Sequence, residues 1–302
     1  MAGDSNIEWT DASWNPVRGC TVVSPGCKNC YAAKVAARFS GKGLAYEGLA
    51  FMHPKAGGQW TGEVRLIEEQ LDAPLRWSRP RRIFVNSMSD LFHEALSIET
   101  IARVFAVMYL APKHTFQVLT KRANRMREVL TDPWFYNLVL QAADELRDQR
   151  SHLQGVGISD PTKHPAPWVQ LGVSVEGPEY LERVDQLLYS PAGVRFVSAE
   201  PLLAELDLFA RLYPRIGERP ALDWVIVGGE SGQQARPFNI EWARRIVVDC
   251  KVAGVACFVK QLGADPRTIA DLPCSPLASK KGGDPAEWPA DLRVREFPEV
   301  RR

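Results

Sequence analysis

The chain has 302 residues, a length that suits one (β/α) barrel domain or two smaller domains. Its 37 basic and 36 acidic residues leave a formal net charge of +1, which excludes a protein-wide positive field for nucleic acid. No apolar run reaches the length of a membrane span, and the first residues lack the pattern of a signal peptide. We therefore expect a soluble, cytoplasmic protein whose six cysteines are kept reduced.

A short apolar run, a polar strand end and then a helical pattern recur along the chain. The first strand is predicted around residues 7–10. Six more strands are predicted at 83–86, 115–119, 169–175, 194–197, 224–227 and 256–259. These runs are mostly apolar, which is typical of parallel strands buried on both faces. The alternation predicts an α/β fold, and the lack of a GxGxxG turn after the first strand favours a (β/α) barrel, complete or partial, over a doubly wound sheet.

Two segments interrupt this rhythm. Residues from about 132 to 168 contain a polar helical stretch followed by Gly, Pro and His, which predicts an insertion over one rim. From residue 263 the composition becomes rich in Pro, Gly and charge. We therefore predict a barrel domain over 1–262 that carries the insertion, and a C-terminal extension over 263–302.

Three of the six cysteines lie close together as C-x6-C-x2-C, at Cys20, Cys27 and Cys30. Thiolates at this spacing can bind one metal centre, and three protein ligands leave one coordination position open. A 4Fe-4S cluster with one free iron is the favoured interpretation. A zinc site completed by His53 or His93, and a disulfide with one free thiol, are the alternatives.

Four sequence elements carry a resemblance to a known family. They are Trp14-Asn15-Pro16, the Gly19–Ala32 segment with its three cysteines, the Asn86–Phe92 segment, and Gly228-Gly229-Glu230-Ser231. Together they resemble the phage-associated three-Cys-motif family, which has a radical-SAM-like barrel. The resemblance implies a cluster on the three cysteines, S-adenosyl-L-methionine at the open iron, radical chemistry on a substrate, and a three-Cys-motif partner protein.

Charged residues follow the predicted strands at the edge where barrel enzymes have their active sites. The candidate catalytic residues are Asp90, Lys121, Glu176, Glu200, Glu230 and Lys260. The candidate cofactor-binding residues are Ser87, Ser89, Gly228, Gly229 and Glu230. The alternative for each charged residue is that it caps the next helix or pairs with a neighbour across the rim.

Basic residues with an interleaved tryptophan suit phosphate contact and base stacking. The candidate nucleic-acid contacts are Arg76, Arg79, Arg81, Arg82, Lys121 and Arg122. A solvated edge before a buried strand is the alternative. The sequence thus favours an iron-sulfur enzyme of radical-SAM-like type that acts on a nucleotide, nucleic acid or related polar substrate. The rival hypothesis is a phage-associated module that binds nucleic acid or protein and has a structural zinc or iron-sulfur site.

Overall fold

A computed structural model of the full chain describes residues 2–158, 160, 165–213, 222–268, 270, 272–274, 277–279 and 281–299. The strands are β1 (Ala2–Asp4), β2 (Ala12–Trp14), β3 (Val17–Arg18), β4 (Ala50–His53), β5 (Gly57–Trp60), β6 (Arg65–Leu66), β7 (Arg82–Val85), β8 (Thr115–Thr120), β9 (Val169–Ser174), β10 (Val194–Ala199), β11 (Trp224–Gly228), β12 (Phe238–Asn239), β13 (Ala256–Gln261) and β14 (Pro266–Arg267). The helices are α1 (Tyr31–Arg38), α2 (Glu68–Leu71), α3 (Ile98–Leu110), α4 (Ala123–Thr131), α5 (Pro133–Gln149), α6 (Glu182–Leu188), α7 (Phe209–Leu212) and α8 (Ile240–Ala253). None of the helices in these described ranges is both long and apolar enough to cross a bilayer.

One eight-stranded sheet in the order β1-β2-β7-β8-β9-β10-β11-β13 organises the chain. β1 pairs antiparallel to β2, and all the other neighbours in this sheet are parallel. The parallel strands follow one another in chain order without a reversal, so all their carboxyl ends meet at one edge of the sheet. No ladder joins β1 to β13 in the described residues, and the sheet is therefore open.

The six later strands confirm the sequence predictions to within two residues at each end. The predicted first strand is wrong, because residues 7–10 form a turn closed by a hydrogen bond from Thr10 N to Ile7 O (3.1 Å). The Thr10 hydroxyl donates to Ala12 O (3.1 Å) and Arg82 O (2.9 Å), which fixes this turn beside β7. The strand that joins the sheet is instead β2, directly after the turn.

The alternation of side chains along the strands builds two separate cores. Ile83 and Val85 of β7 pack with the helices on the outer face, whereas Phe84 between them points to the inner face. The inner cluster consists of Trp9, Phe84, Phe196, Trp224, Ile226 and Phe258. Because both faces are covered by apolar side chains, the strands themselves are mostly apolar.

Gly172 of β9 lies against the inner cluster, where a Cβ atom would come within 2.4 Å of the Phe196 ring. Phe196 is fully buried and packs against Trp9 and Trp224, so its ring has no room to move away. We expect Gly172→Ala to lower the free energy of unfolding by about 1–3 kcal/mol through overpacking. Urea denaturation measures this. Gly3→Ala is the control, since a Cβ atom on Gly3 meets nothing within 4 Å; an equal loss in both variants would contradict the prediction.

The two segments that interrupt the rhythm are partly integrated into the domain. Within 132–168, residues 133–149 form α5, whose Phe135 and Val139 are buried in the outer core. Residues 159 and 161–164 lie outside the described residues. In the C-terminal segment, Trp288 and Leu292 are buried, and Glu296 N donates to Cys257 O of β13 (2.9 Å).

Candidate functional site

The cysteine loop, residues 20–30, lies across the carboxyl ends of the central strands. Its Ser24 hydroxyl donates to Glu176 Oε1 (2.7 Å), beyond the end of β9. Its Asn29 amide donates to Glu230 Oε2 (2.9 Å), beyond the end of β11. At the other end of the loop, Arg122 Nη2 donates to Thr21 Oγ1 (2.6 Å). Side chains from three strand ends therefore fix the loop over the edge of the sheet.

All three cysteines of the loop line one cavity of about 140 Å³. Its walls also come from the strand ends, with Asp90, Lys121 and Ser174 among them. Tyr31 lies at the side of the cavity and its hydroxyl donates to Ser87 O (2.8 Å). Of the predicted catalytic residues, Asp90 after β7 and Lys121 after β8 line this cavity with the cysteines, whereas Glu176 after β9 does not.

All six cysteines of the chain are free thiols. Two of the three in the loop, Cys20 and Cys30, have raised pKa values. Burial raises the pKa of Cys20 to about 12, and the Asp90 carboxylate adds to that rise. Burial also raises the pKa of Cys30, and the backbone N–H groups of Ala33 and Ala32 offset part of it. Without a bound cation, Cys20 and Cys30 stay protonated at neutral pH. A metal would have to displace both protons in order to bind.

In the described part of the chain, no three His, Cys, Asp or Glu side chains converge as the ligands of a metal ion. The two histidines considered as zinc ligands have other contacts. His93 Nε2 lies 3.0 Å from Thr21 Oγ1, and the exposed His53 accepts from Lys55 N (3.2 Å) and Ala56 N (3.0 Å). Neither imidazole joins the cysteines in a set of three or more donors.

Asp90 lines the cavity and is almost fully buried, with 5% of its surface exposed. Its Oδ1 accepts from the Thr120 hydroxyl (2.7 Å) and its Oδ2 from Lys121 N (3.1 Å). Arg122 Nη1 donates to Asp90 Oδ2 (3.1 Å) and lies 3.9 Å from the Cys20 sulfur. Because the guanidinium touches both groups, it links the position of the first cysteine to the ends of β7 and β8.

Glu176 is a second fixed charge and is 1% exposed. It forms ion pairs with Lys121 and, at 2.9 Å, with Arg183 of α6. Burial alone would raise the pKa of Glu176, but the charges of Lys121 and Arg183 and the hydrogen bond from Ser24 hold it below its usual value of 4.5. The carboxylate therefore stays ionised and anchors the cysteine loop.

The remaining candidates, Glu200, Glu230 and Lys260, lie at the ends of β10, β11 and β13, and each has an ion-pair partner. Glu230 accepts from Arg236 (2.6 Å), whose other nitrogen donates to Pro25 O of the loop (3.0 Å). Lys260 Nζ lies 3.0 Å from Glu200 Oε1. None of these three candidates, Glu200, Glu230 and Lys260, lines the 140 Å³ cavity.

The candidate cofactor contacts separate into two groups. Ser87 and Ser89 line the cavity, and their hydroxyls donate to Asn15 Oδ1 (3.2 Å) and Val17 O (2.9 Å). Gly228 and Gly229 instead pack tightly against the end of β13. A Cβ atom on Gly229 would lie 2.4 Å from Leu262 O, so the sequence requires glycine there for packing.

The predicted basic residues do not form one surface. Arg81 and Arg82 lie at the amino end of β7 and pair with Asp4 and Asp11, both at 2.7 Å. Lys121 and Arg122 lie at the opposite end of the sheet and are engaged in the site. Arg76 pairs with Asp72 beside α2, and Arg79 lies in the same amino-end loop.

Several functional contacts were absent from the sequence prediction. Arg183 and Arg236 hold the two loop-anchoring carboxylates, and Ser24 and Asn29 are the loop's own side of those contacts. The sequence gives only an indirect indication of these contacts. Glu176 precedes Arg183 by seven residues and Glu230 precedes Arg236 by six. Such a spacing brings a strand end close to the start of the next helix or turn.

Comparison with known proteins gives one family. The family described as "Protein of unknown function (DUF5131)" matches residues 4–282. The chain belongs to the DUF5131 family. Since that match covers the cysteine loop and all six strand ends, the whole candidate site belongs to the DUF5131 region. No curated protein and no solved structure matches the chain.

Proposed function

We propose that this DUF5131 protein is an iron-sulfur enzyme of radical-SAM-like type with a partial (β/α) barrel. The observation that carries the proposal is the cavity that Cys20, Cys27 and Cys30 share with the carboxyl ends of parallel strands. Active sites of barrel enzymes occupy that edge. The parallel strands follow chain order without a reversal, and the large helices pack on one face of the sheet. Both features are typical of a barrel rather than of a doubly wound sheet, and they support the proposed fold.

The number and spacing of the cysteines favour a cluster over a single zinc ion. Cys20, Cys27 and Cys30 line one cavity, and three thiolates on a four-iron cluster leave the fourth iron open to a small molecule. A structural zinc ion takes four protein ligands, and neither His53 nor His93 joins the cysteines as a fourth. A reducing cytoplasm is the matching location, because all six cysteines are free.

When bound, such a cluster supplies one electron for reductive cleavage of S-adenosyl-L-methionine at its open iron. The chain's own residues would position and shield that chemistry. Arg122 holds the first cysteine, Glu176 and Glu230 fix the loop over the strand ends, and Ser87 and Ser89 line the cavity. Phe84 of the aromatic inner cluster and Leu119, which packs against that cluster, line the cavity and would exclude water from that side.

A second candidate is a structural metal site in a module that binds nucleic acid or a three-Cys-motif partner protein. The observation that favours it is the pairing of Glu176, Glu200 and Glu230 with neighbouring cations. Fully paired charges suit a rigid scaffold as well as an active site. In that case the metal would stabilise the loop and take no part in a reaction.

Anaerobic purification followed by metal and sulfide analysis separates these functions. The enzyme proposal expects about four irons and four sulfides per chain, with thiolate-to-iron charge-transfer absorbance. It also expects dithionite-dependent release of 5′-deoxyadenosine or methionine from S-adenosyl-L-methionine. One zinc per chain and no absorbance would contradict the cluster. Iron without cleavage of S-adenosyl-L-methionine would favour the structural role.

A further inference from the structure

A second and larger opening lies on the outside of the cysteine loop. It is a groove of about 720 Å³, within the size range of clefts that hold small molecules. Cys27 lines both this groove and the inner cavity. Its other walls include Lys28, Lys55 and Arg236. A molecule bound in the groove would therefore lie directly beside the candidate metal centre.

The charge of this groove is one-sided. Among the described residues that line it, three are cations and none is a carboxylate. The cleft on the other side of the loop has a different balance. It is lined by four carboxylates and four cations. Because the net charge of the chain is only +1, an all-basic groove is a local feature and not a consequence of composition.

The two lysines of the groove are free to bind a ligand. Lys28 and Lys55 are exposed, and neither has an ion-pair partner in the described part of the chain. Arg236 is committed to Glu230 and to the carbonyl oxygen of Pro25, which fixes one wall. The amides of Gln59 and Gln234 offer further donors, and Val22, 60% exposed, offers an apolar contact.

We infer that this groove binds the phosphate groups of an anionic substrate, with Lys28 and Lys55 as the main phosphate contacts. The inference deepens the proposed function, on which it rests for the chemistry beside Cys27, and it names the substrate class. The inferred phosphate contacts lie at the carboxyl end of the sheet, whereas the sequence predicted contacts by arginines at the amino end of β7. A single-stranded nucleic acid and a small phosphorylated compound share this chemistry.

The test uses the full anaerobic protein and two probes, a fluorescein-labelled oligothymidylate of ten nucleotides and inorganic pyrophosphate. The variant Lys28→Gln/Lys55→Gln removes both contacts at exposed positions. The matched control, Lys113→Gln/Lys251→Gln, removes the same charge from exposed lysines outside the groove. Loss of two phosphate contacts should make the plot of log association constant against log salt concentration less steep by about 1.4. Oligonucleotide binding should therefore weaken about 25-fold at 0.1 M salt.

Each result decides between definite outcomes. Selective loss of oligonucleotide binding in the groove variant supports the site with a nucleic-acid strand as its ligand. Selective loss of pyrophosphate binding alone, measured by calorimetry, supports a small phosphorylated substrate. The inference is overturned when neither probe binds, or when the groove variant weakens binding no more than the control variant does.

Iron analysis on the same samples keeps the two proposals apart. The groove variant should retain the iron content of the unaltered protein, because neither lysine is a metal ligand. Cys20→Ser should lose iron and keep probe binding, since Cys20 does not line the groove. Probe binding without iron in the unaltered protein would defeat the proposed function and leave the phosphate site standing. Iron without probe binding would do the reverse.

Discussion

Serine in place of Cys27 is expected to reduce the iron content of anaerobically prepared protein from about four atoms per chain to fewer than one. The cysteine loop offers three thiols around one cavity, so the loss of one leaves two ligands for a cluster that needs three. A serine hydroxyl is close to a thiol in size but gives up its proton far less readily. Iron and sulfide analysis, together with the charge-transfer absorbance, measures the effect.

The fold should survive this substitution, because Cys27 is only partly buried and its backbone N–H keeps its bond to Ser24 O (2.9 Å). Cys274→Ser is the matched control. That thiol is also partly buried, but it does not line the cavity. Full iron content in Cys27→Ser, or an equal loss in the control, would contradict the assignment of the loop as the metal ligand.

The strands were predictable from the sequence because burial on both faces leaves a plain signal. β11 is buried at every residue and its residues 224–227 are all apolar, and a short, continuous apolar run between turn residues is typical of such strands. The turn at residues 7–10 shows where the signal misleads. Ile7 and Trp9 are apolar because they pack on the inner cluster, and not because they lie in a strand. Composition reports burial, whereas strand pairing depends on a backbone register that composition does not contain.

The edge of the sheet that carries the site was predictable for a similar reason. Parallel strands bring all their carboxyl ends together, so residues that follow them share one edge. The choice of partner within that edge was not predictable. Lys121 reaches Glu176 of the next strand, whereas Glu230 is held by Arg236 from its own loop. Such pairings depend on side-chain direction and on the path of each loop, which a single sequence does not specify.

Arg122 shows how burial can give a residue a contact that its place in the sequence does not indicate. In the sequence it stands beside Lys121 in a basic stretch, which is the pattern of a phosphate-binding surface. In the structure it is 6% exposed and its guanidinium contacts Asp90, Glu94 and Thr21. Burial separates a structural arginine from a solvent-facing one, and adjacent residues in a chain often differ in this respect.

Removal of the Glu176 side chain should have the largest effect on stability. Glu176→Ala leaves the ammonium of Lys121 and the guanidinium of Arg183 without their carboxylate, at side-chain exposures of only 19% and 12%. Breaking a buried pair by the loss of one partner costs about 3–5 kcal/mol of unfolding free energy. Denaturant unfolding measures the change. Glu179→Ala, which removes an exposed carboxylate three residues away, should change it by less than about 0.5 kcal/mol.

The same carboxylate predicts a definite dependence on pH. Because its pKa in the folded protein lies below 4.5, Glu176 binds a proton more readily when the chain is unfolded. Its contribution to stability is therefore complete above pH 4.5 and is lost as the pH falls through the lowered pKa. The difference in unfolding free energy between the unaltered protein and Glu176→Gln should be constant near neutral pH and shrink toward acid. A difference that stayed constant down to about pH 3 would show that the carboxylate's charge does not stabilise the loop.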